Sequence, residues 1–287
     1  MRGRRLRRWS GALGIWLAAI LALGGCGAAV ATPTPTVITI AGATELHPAL
    51  QELTAEFTRR HPNVIFTLRG GSSTTGEEQA LTQRVDLGAS TLFPPEAPGP
   101  VERLLVRAPI GVDGLAIVVH SSNSVPGLTL EQTRRLFSGE ILTWEAVGGD
   151  AREVILVSRE DGSGSRILFE DRVMGDEAVS LTAVVMPSSR DVVDYVAKTP
   201  GAIAYVSRAW VMPPGDRGEG PSSRVRPIPI EGMLPTLETL ATGDYPLRQP
   251  LYLVSRGEPR GWVRQFVEFV LSPAGQTIVA HYHQPAR

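Results

Sequence analysis

Short β-branched runs alternate along this chain with stretches of helical period, and no other feature narrows the possible folds as much. Val37 to Ile40 is one such run, Leu46, Leu50, Leu53 and Phe57 recur at helical spacing through Arg60, and Val64 to Leu68 is a second run. Together they read as a β-α-β unit. The alternation returns downstream with strands expected at Leu115 to Val119, Val154 to Val157, Ala183 to Val185, Ile203 to Val206 and Leu251 to Val254. Helices are expected at Leu130 to Phe137 and Trp262 to Leu271. The pattern predicts an α/β architecture with mainly parallel sheets. At 287 residues and 43% hydrophobic content, the chain can fill one large domain or two lobes of ordinary size. Phe93 to Pro100 and Met212 to Pro229 are rich in Pro and Gly and are expected as surface loops, the second near a crossing between lobes.

The N-terminus speaks to compartment. Arg2, Arg4, Arg5, Arg7 and Arg8 precede the apolar run Gly11 to Leu23, which is shorter than the roughly 20 residues a membrane-spanning helix needs and reads as an export signal. The run ends in Leu23-Gly24-Gly25-Cys26, which resembles the bacterial lipobox, so residues 1–25 are expected as a signal peptide and Cys26 as the lipidated first residue of the mature chain. Cys26 is the only cysteine, which excludes an internal disulfide and any zinc site of several cysteines. Residues 26–36, with their Thr-Pro-Thr-Pro-Thr run, form a stiff tether. Of 28 basic residues, the five leader arginines are lost on export, leaving 23 against 29 acidic ones, a balance of −6. That balance excludes nucleic acid as a partner and means that any anion must be held by local donors.

Three clusters of Gly, Ser and Thr each follow an expected strand and precede an expected helix. They are Ala41 to Thr44, Gly70 to Gly76, and Asp161 to Ser165. Free backbone N–H groups and the positive end of the helix dipole favour an anion at such junctions, small residues let it approach, and hydroxyls add donors. Any one of them alone reads equally as a cap and a tight turn; three converging would make a neutral, donor-rich oxyanion pocket. Arg159, just before the third cluster, can make a planar two-point contact with such an ion or an ion pair with Glu160 or Asp161.

Around these junctions the chain resembles the phosphate-binding protein family of bacterial phosphate ABC transporters. The stretches that carry the resemblance include IAGATELHP (40–48), VDLGAS (85–90), DGLAIVV (113–119), LTLEQTRRLFSGEILTWEAVGG (128–149), VSREDGSGSRILFE (157–170), PGAIAYVS (200–207), PLRQPLYLV (246–254) and FVEFVLSPAGQTIV (266–279). The resemblance implies a two-lobed periplasmic-binding-protein-like fold of type II with two hinge crossings, near Val112 and Ile228. One lobe would comprise 37–112 and 230–287, the other 113–229. It implies phosphate donors at Thr44, Ser72 or Ser73, Arg159, Ser163, Gly164 and Ser165, and an acceptor carboxylate at Asp86. The family's Gly-Gly-Ser-Gly-Thr-Gly loop appears here as Gly-Gly-Ser-Ser-Thr-Thr-Gly, which leaves open which of Ser72, Ser73 and Thr74 reaches the ligand. An acceptor carboxylate suits phosphate, which keeps an O–H at neutral pH, and rejects sulfate, which does not.

By the same resemblance the protein is expected to be a monomeric receptor at the outer face of the cytoplasmic membrane or in the periplasm, handing phosphate to an ABC permease. A receptor for another tetrahedral oxyanion and a phosphate sensor are the alternatives. Catalysis is not expected: Gly162-Ser163-Gly164-Ser165 lacks the spacing of a nucleophile elbow, and Gly70 to Gly76 lacks the Gly-Lys-Ser/Thr ending of a nucleotide loop. No cofactor or metal is expected. His281 and His283 read as part of a solvated tail, and Trp144 and Trp210 as packing residues.

Overall fold

The computed structural model describes residues 34–212 and 221–286. The signal peptide, Cys26 and most of the tether lie outside the described residues. In chain order the elements are β1 (Thr36–Ala43), α1 (His47–Arg60), β2 (Val64–Gly71), α2 (Ser73–Leu81), β3 (Leu87–Ser90), β4 (Leu105–His120), α3 (Leu130–Phe137), β5 (Ile155–Arg159), α4 (Gly164–Phe169), β6 (Val184–Met186), α5 (Ser189–Val196) and β7 (Ala202–Ser207). Then come β8 (Val225–Ile228), α6 (Leu237–Thr242), β9 (Arg248–Arg256), α7 (Gly261–Leu271), α8 (Pro273–Tyr282) and β10 (Gln284–Pro285).

The strands run in the order β2-β1-β3-β9-β4-β7-β5-β6, with β8 and β10 also paired to β4. Parallel pairing holds within β2-β1-β3 and within β7-β5-β6. Every pairing made by β4 and β9 is antiparallel. The mainly parallel sheets expected from sequence are therefore corrected to a mixed sheet, because the long strand β4 and the returning strand β9 run side by side in opposite directions. Gly114 of β4 still faces Arg248 of β9, and the next residue, Leu115, faces Ser207 of β7. One strand thus passes from the first half of the molecule into the second.

The apolar periodicities explain the packing. Leu46, Leu50, Leu53 and Phe57 lie on one face of the α1 region and close, with Ile38, Ile40, Phe266 and Val270, over the first half of the sheet. Phe57 meets Phe66 and Phe266 edge-on at 5.8 and 5.4 Å. In the second half Leu115, Ile117 and Val119 point into one core and Ala116 and Val118 into another. That alternation is why this run is apolar at every position: both faces of the strand are covered. Ile230, Leu240, Tyr245 and Leu247 belong to the core that Leu115, Ile117 and Val119 enter, in the second half. The tail expected to return to the first lobe at residue 230 therefore does so only at β9, once these four side chains are buried.

Close approach of α2 to β1 and β3 requires glycine. A Cβ at Gly76 would sit 2.7 Å from the Ala89 carbonyl oxygen and 2.9 Å from that of Ala41. The helix start therefore rests against the strand ends, and the hydroxyls of Ser72 and Ser73 are brought to the border between the two halves. No helix among the described residues is long and apolar enough to cross a membrane.

Candidate binding site

The strand ends of β1, β2, β3, β5 and β6 deliver Thr44, Ser72 and Ser73, Thr91, the 159–165 loop, and Ser189. Thr44, Glu45, Ser73, Thr91, Arg159, Ser163, Ser165 and Ser189 are each at most 2% exposed. Buried hydroxyls and charges on this scale are tolerated only when hydrogen-bonded, and nearly all of them are, to one another.

Thr44 follows β1 directly, in a 3-10 turn of residues 44–46. Its Oγ1 accepts from the backbone N of Ser189 at 3.1 Å and lies 3.0 Å from Ser189 Oγ. Its carbonyl accepts the indole N–H of Trp210 at 3.0 Å, a link that goes beyond the packing role expected of that tryptophan. Trp144 is core, donating its indole N–H to the Gly201 carbonyl.

Arg159 ends β5 and is fully buried. Its planar two-point contact goes to Glu160, from Nε and Nη2 at 2.9 Å each. Nη1 donates to Glu45 Oε1 at 3.1 Å and to Ser189 Oγ at 3.2 Å. Burial alone would lower the pKa of this guanidinium, but the Glu45 and Glu160 carboxylates overcome that and hold it above the ordinary arginine value. The Tyr205 hydroxyl supports the strand end from below, 2.7 Å from Ser158 Oγ and accepting from Arg159 N at 3.3 Å. Burial first of all pushes the Tyr205 phenol up to about 12, so it stays a neutral prop.

In the third junction Ser165 Oγ donates to Glu45 Oε1 at 2.6 Å. Ser163 Oγ is buried with no hydrogen-bond partner among the described residues. A Cβ on Gly164 would overlap Thr91 Oγ1 and lie 2.7 Å from Ser73 Oγ, so only glycine lets the 159–165 loop come this near the first half. The Gly162 carbonyl accepts from Thr74 N and Thr74 Oγ1, both at 3.2 Å.

A family profile described as PBP superfamily domain matches residues 29–274. The chain belongs to the PBP superfamily. The phosphate-binding protein PstS of Bacillus subtilis is 27% identical over 235 residues, covering 82% of this chain and 75% of that protein. A PstS from Borreliella burgdorferi is 22% identical, covering 85% of this chain and 87% of its own. Among solved structures, one described as a phosphate ABC transporter substrate-binding protein with bound phosphate, from Clostridium perfringens, superposes with a TM-score of 0.77 at 26% identity. It covers 88% of this chain and 100% of its own. An ABC-type phosphate transport receptor from Vibrio cholerae gives 0.64 at 26% identity, covering 85% of this chain and 98% of its own. The α/β fold with helices flanking a mixed sheet is that of these phosphate-binding structures.

Against that PBP superfamily framework the expected site residues divide. Thr44, Ser73, Arg159, Ser163, Gly164 and Ser165 lie together at the border of the halves. Ser72 sits beside them, but its hydroxyl caps α2, accepting from Thr75 N at 3.1 Å. Asp86 is corrected. Its carboxylate accepts from Thr39 N and Thr39 Oγ1, both at 2.7 Å, at the opposite end of β3 from the cluster. Thr39 precedes Thr44 by five residues of nearly extended chain, about 15 Å. The carboxylate inside the cluster is Glu45, which the sequence reading passed over. Thr91 and Ser189 were also missed, although Ser188 and Ser189 form a fourth hydroxyl-bearing junction, between β6 and α5.

His283 is corrected as well. It is fully buried, with Nδ1 3.0 Å from Asp113 Oδ1, and does not lie in a solvated tail.

Proposed function

We propose that this protein is an extracytoplasmic receptor that captures inorganic phosphate between its two halves and delivers it to an ABC permease. The observation that carries the reading is the gathering of hydroxyls from five strand ends around one buried arginine. A small tetrahedral ion offers no apolar face and needs many converging donors to replace its water, and the cluster is polar throughout. Thr44, Ser73, Gly164, Ser163, Ser165 and Arg159 are the residues we assign to phosphate. The names of the PstS relatives and the phosphate bound in the Clostridium perfringens structure support the same ligand.

Because the donors come from both halves, the ion favours their approach by differential contact, with β4 and the entry into β9 after Leu247 as the two crossings. The chain acts by binding and release and not by catalysis. It is held at the outer face of the cytoplasmic membrane by a lipid on Cys26.

Calorimetric titration with phosphate, sulfate, arsenate and molybdate tests the proposal. Micromolar binding of phosphate and arsenate, with sulfate much weaker, is the expected result. Failure to bind phosphate at millimolar concentration, or turnover of a phosphoester in a phosphatase assay, overturns it.

A further inference from the structure

Arg159 has five N–H donors, and all are engaged. Nε and Nη2 hold Glu160, Nη1 serves both Glu45 Oε1 and Ser189 Oγ, and Nη2 also reaches Thr44 Oγ1 at 3.5 Å. The one hydroxyl proton of Ser165 goes to the same Glu45 oxygen. Glu45 belongs to the turn after β1, in the first half; Arg159 and Ser165 belong to the second. The Glu45 and Arg159 side chains are 1% and 0% exposed. Two groups well suited to hold an oxyanion are thus bound to a carboxylate of the protein itself.

Building on the phosphate reading above, we propose that Glu45 is a tethered competitor of the ligand: it bridges the halves through Arg159 and Ser165, and must surrender both before phosphate can take them. Charge points the same way. Glu160 already lies on the guanidinium, so Arg159 faces two carboxylates. The neighbouring arginines are occupied elsewhere, Arg166 with Asp161 and Glu170, and Arg190 over the Trp210 ring. A phosphate pressed against the buried Glu45 carboxylate would meet repulsion that little solvent screens. Displacing Glu45 removes it. Contacts made only while phosphate is outside stabilise that state, and by linkage they weaken phosphate binding to the same extent.

The test compares the full chain with Glu45→Gln, which keeps the shape and loses the charge, and Glu45→Ala, which loses both. Calorimetry is expected to show phosphate bound at least tenfold more tightly by both variants. Without phosphate, small-angle scattering is expected to give Glu45→Ala a larger radius of gyration than wild type, because the bridge between the halves is gone. Weaker phosphate binding in the variants overturns the inference by putting Glu45 in the ligand's own shell, and unchanged binding overturns it by showing that Glu45 does not compete. An unchanged radius for Glu45→Ala overturns it too. If neither wild type nor variant binds phosphate, the ligand assignment fails, and the scattering comparison still decides whether Glu45 holds the halves together.

Discussion

His283 and Asp113 face each other at 3.0 Å with both side chains fully buried, where β10 closes against β4. Asp113 also accepts from Gln249 Nε2 of β9 at 3.0 Å, so one carboxylate of β4 ties His283 to β9.

Removing the imidazole leaves that buried carboxylate short of a partner. His283→Ala is expected to destabilise the fold by about 2–3 kcal/mol, in the range for an unsatisfied buried polar group. Urea unfolding followed by circular dichroism measures it, and a loss under about 0.5 kcal/mol would show that the contact carries little.

Gly164→Ala places a methyl group where Thr91 Oγ1 and Ser73 Oγ already stand. The two halves can no longer meet at this point. Phosphate affinity is expected to drop tenfold or more while the far-ultraviolet spectrum stays that of wild type. An unaltered dissociation constant would show that the approach of the halves at Gly164 is irrelevant to binding.

Asp86→Asn is expected to leave the preference for phosphate over sulfate where it was, because Asp86 is engaged with Thr39. Its cost is in stability, about 1 kcal/mol for a weakened pair of hydrogen bonds. Titration of both anions decides the matter, and a narrowed phosphate-to-sulfate gap would return Asp86 to the site.

Burial, more than any charge, holds the His47 imidazole below its ordinary value of 6.5. The folded protein therefore takes up the proton less readily than the unfolded chain does. Stability from this residue is complete above 6.5 and is lost as the pH falls through the lowered folded value. His47→Gln should shrink the loss of melting temperature between pH 7 and pH 5, and an identical loss in both proteins would exclude His47 as a source of the acid sensitivity.

Much of the fold was legible because its signals are local. The run Leu115 to Val119 is apolar at every position, and the structure covers it on both faces; Leu46, Leu50, Leu53 and Phe57 keep helical spacing, and they line one core. Strand-to-helix junctions carry small and hydroxyl residues, and these could be read one by one. What escaped depends on distance between elements. Whether Asp86 or Glu45 enters the cluster is set by which end of β1 and β3 each occupies, and nothing in their neighbours in sequence encodes that. The burial of His283 depends on a partner 170 residues away. The late return of the tail reflects Ile230 and Leu247 finding their places in a core built mostly by residues before them.

The passage of β4 through both halves bears on how the molecule comes apart. Its early residues are zipped to β9 and its later ones to β7 and β8, so fraying from either side soon reaches bonds that the opposite side needs. Such a molecule can hinge, yet it should melt as one body, with no stage at which an intact half trails a loose one.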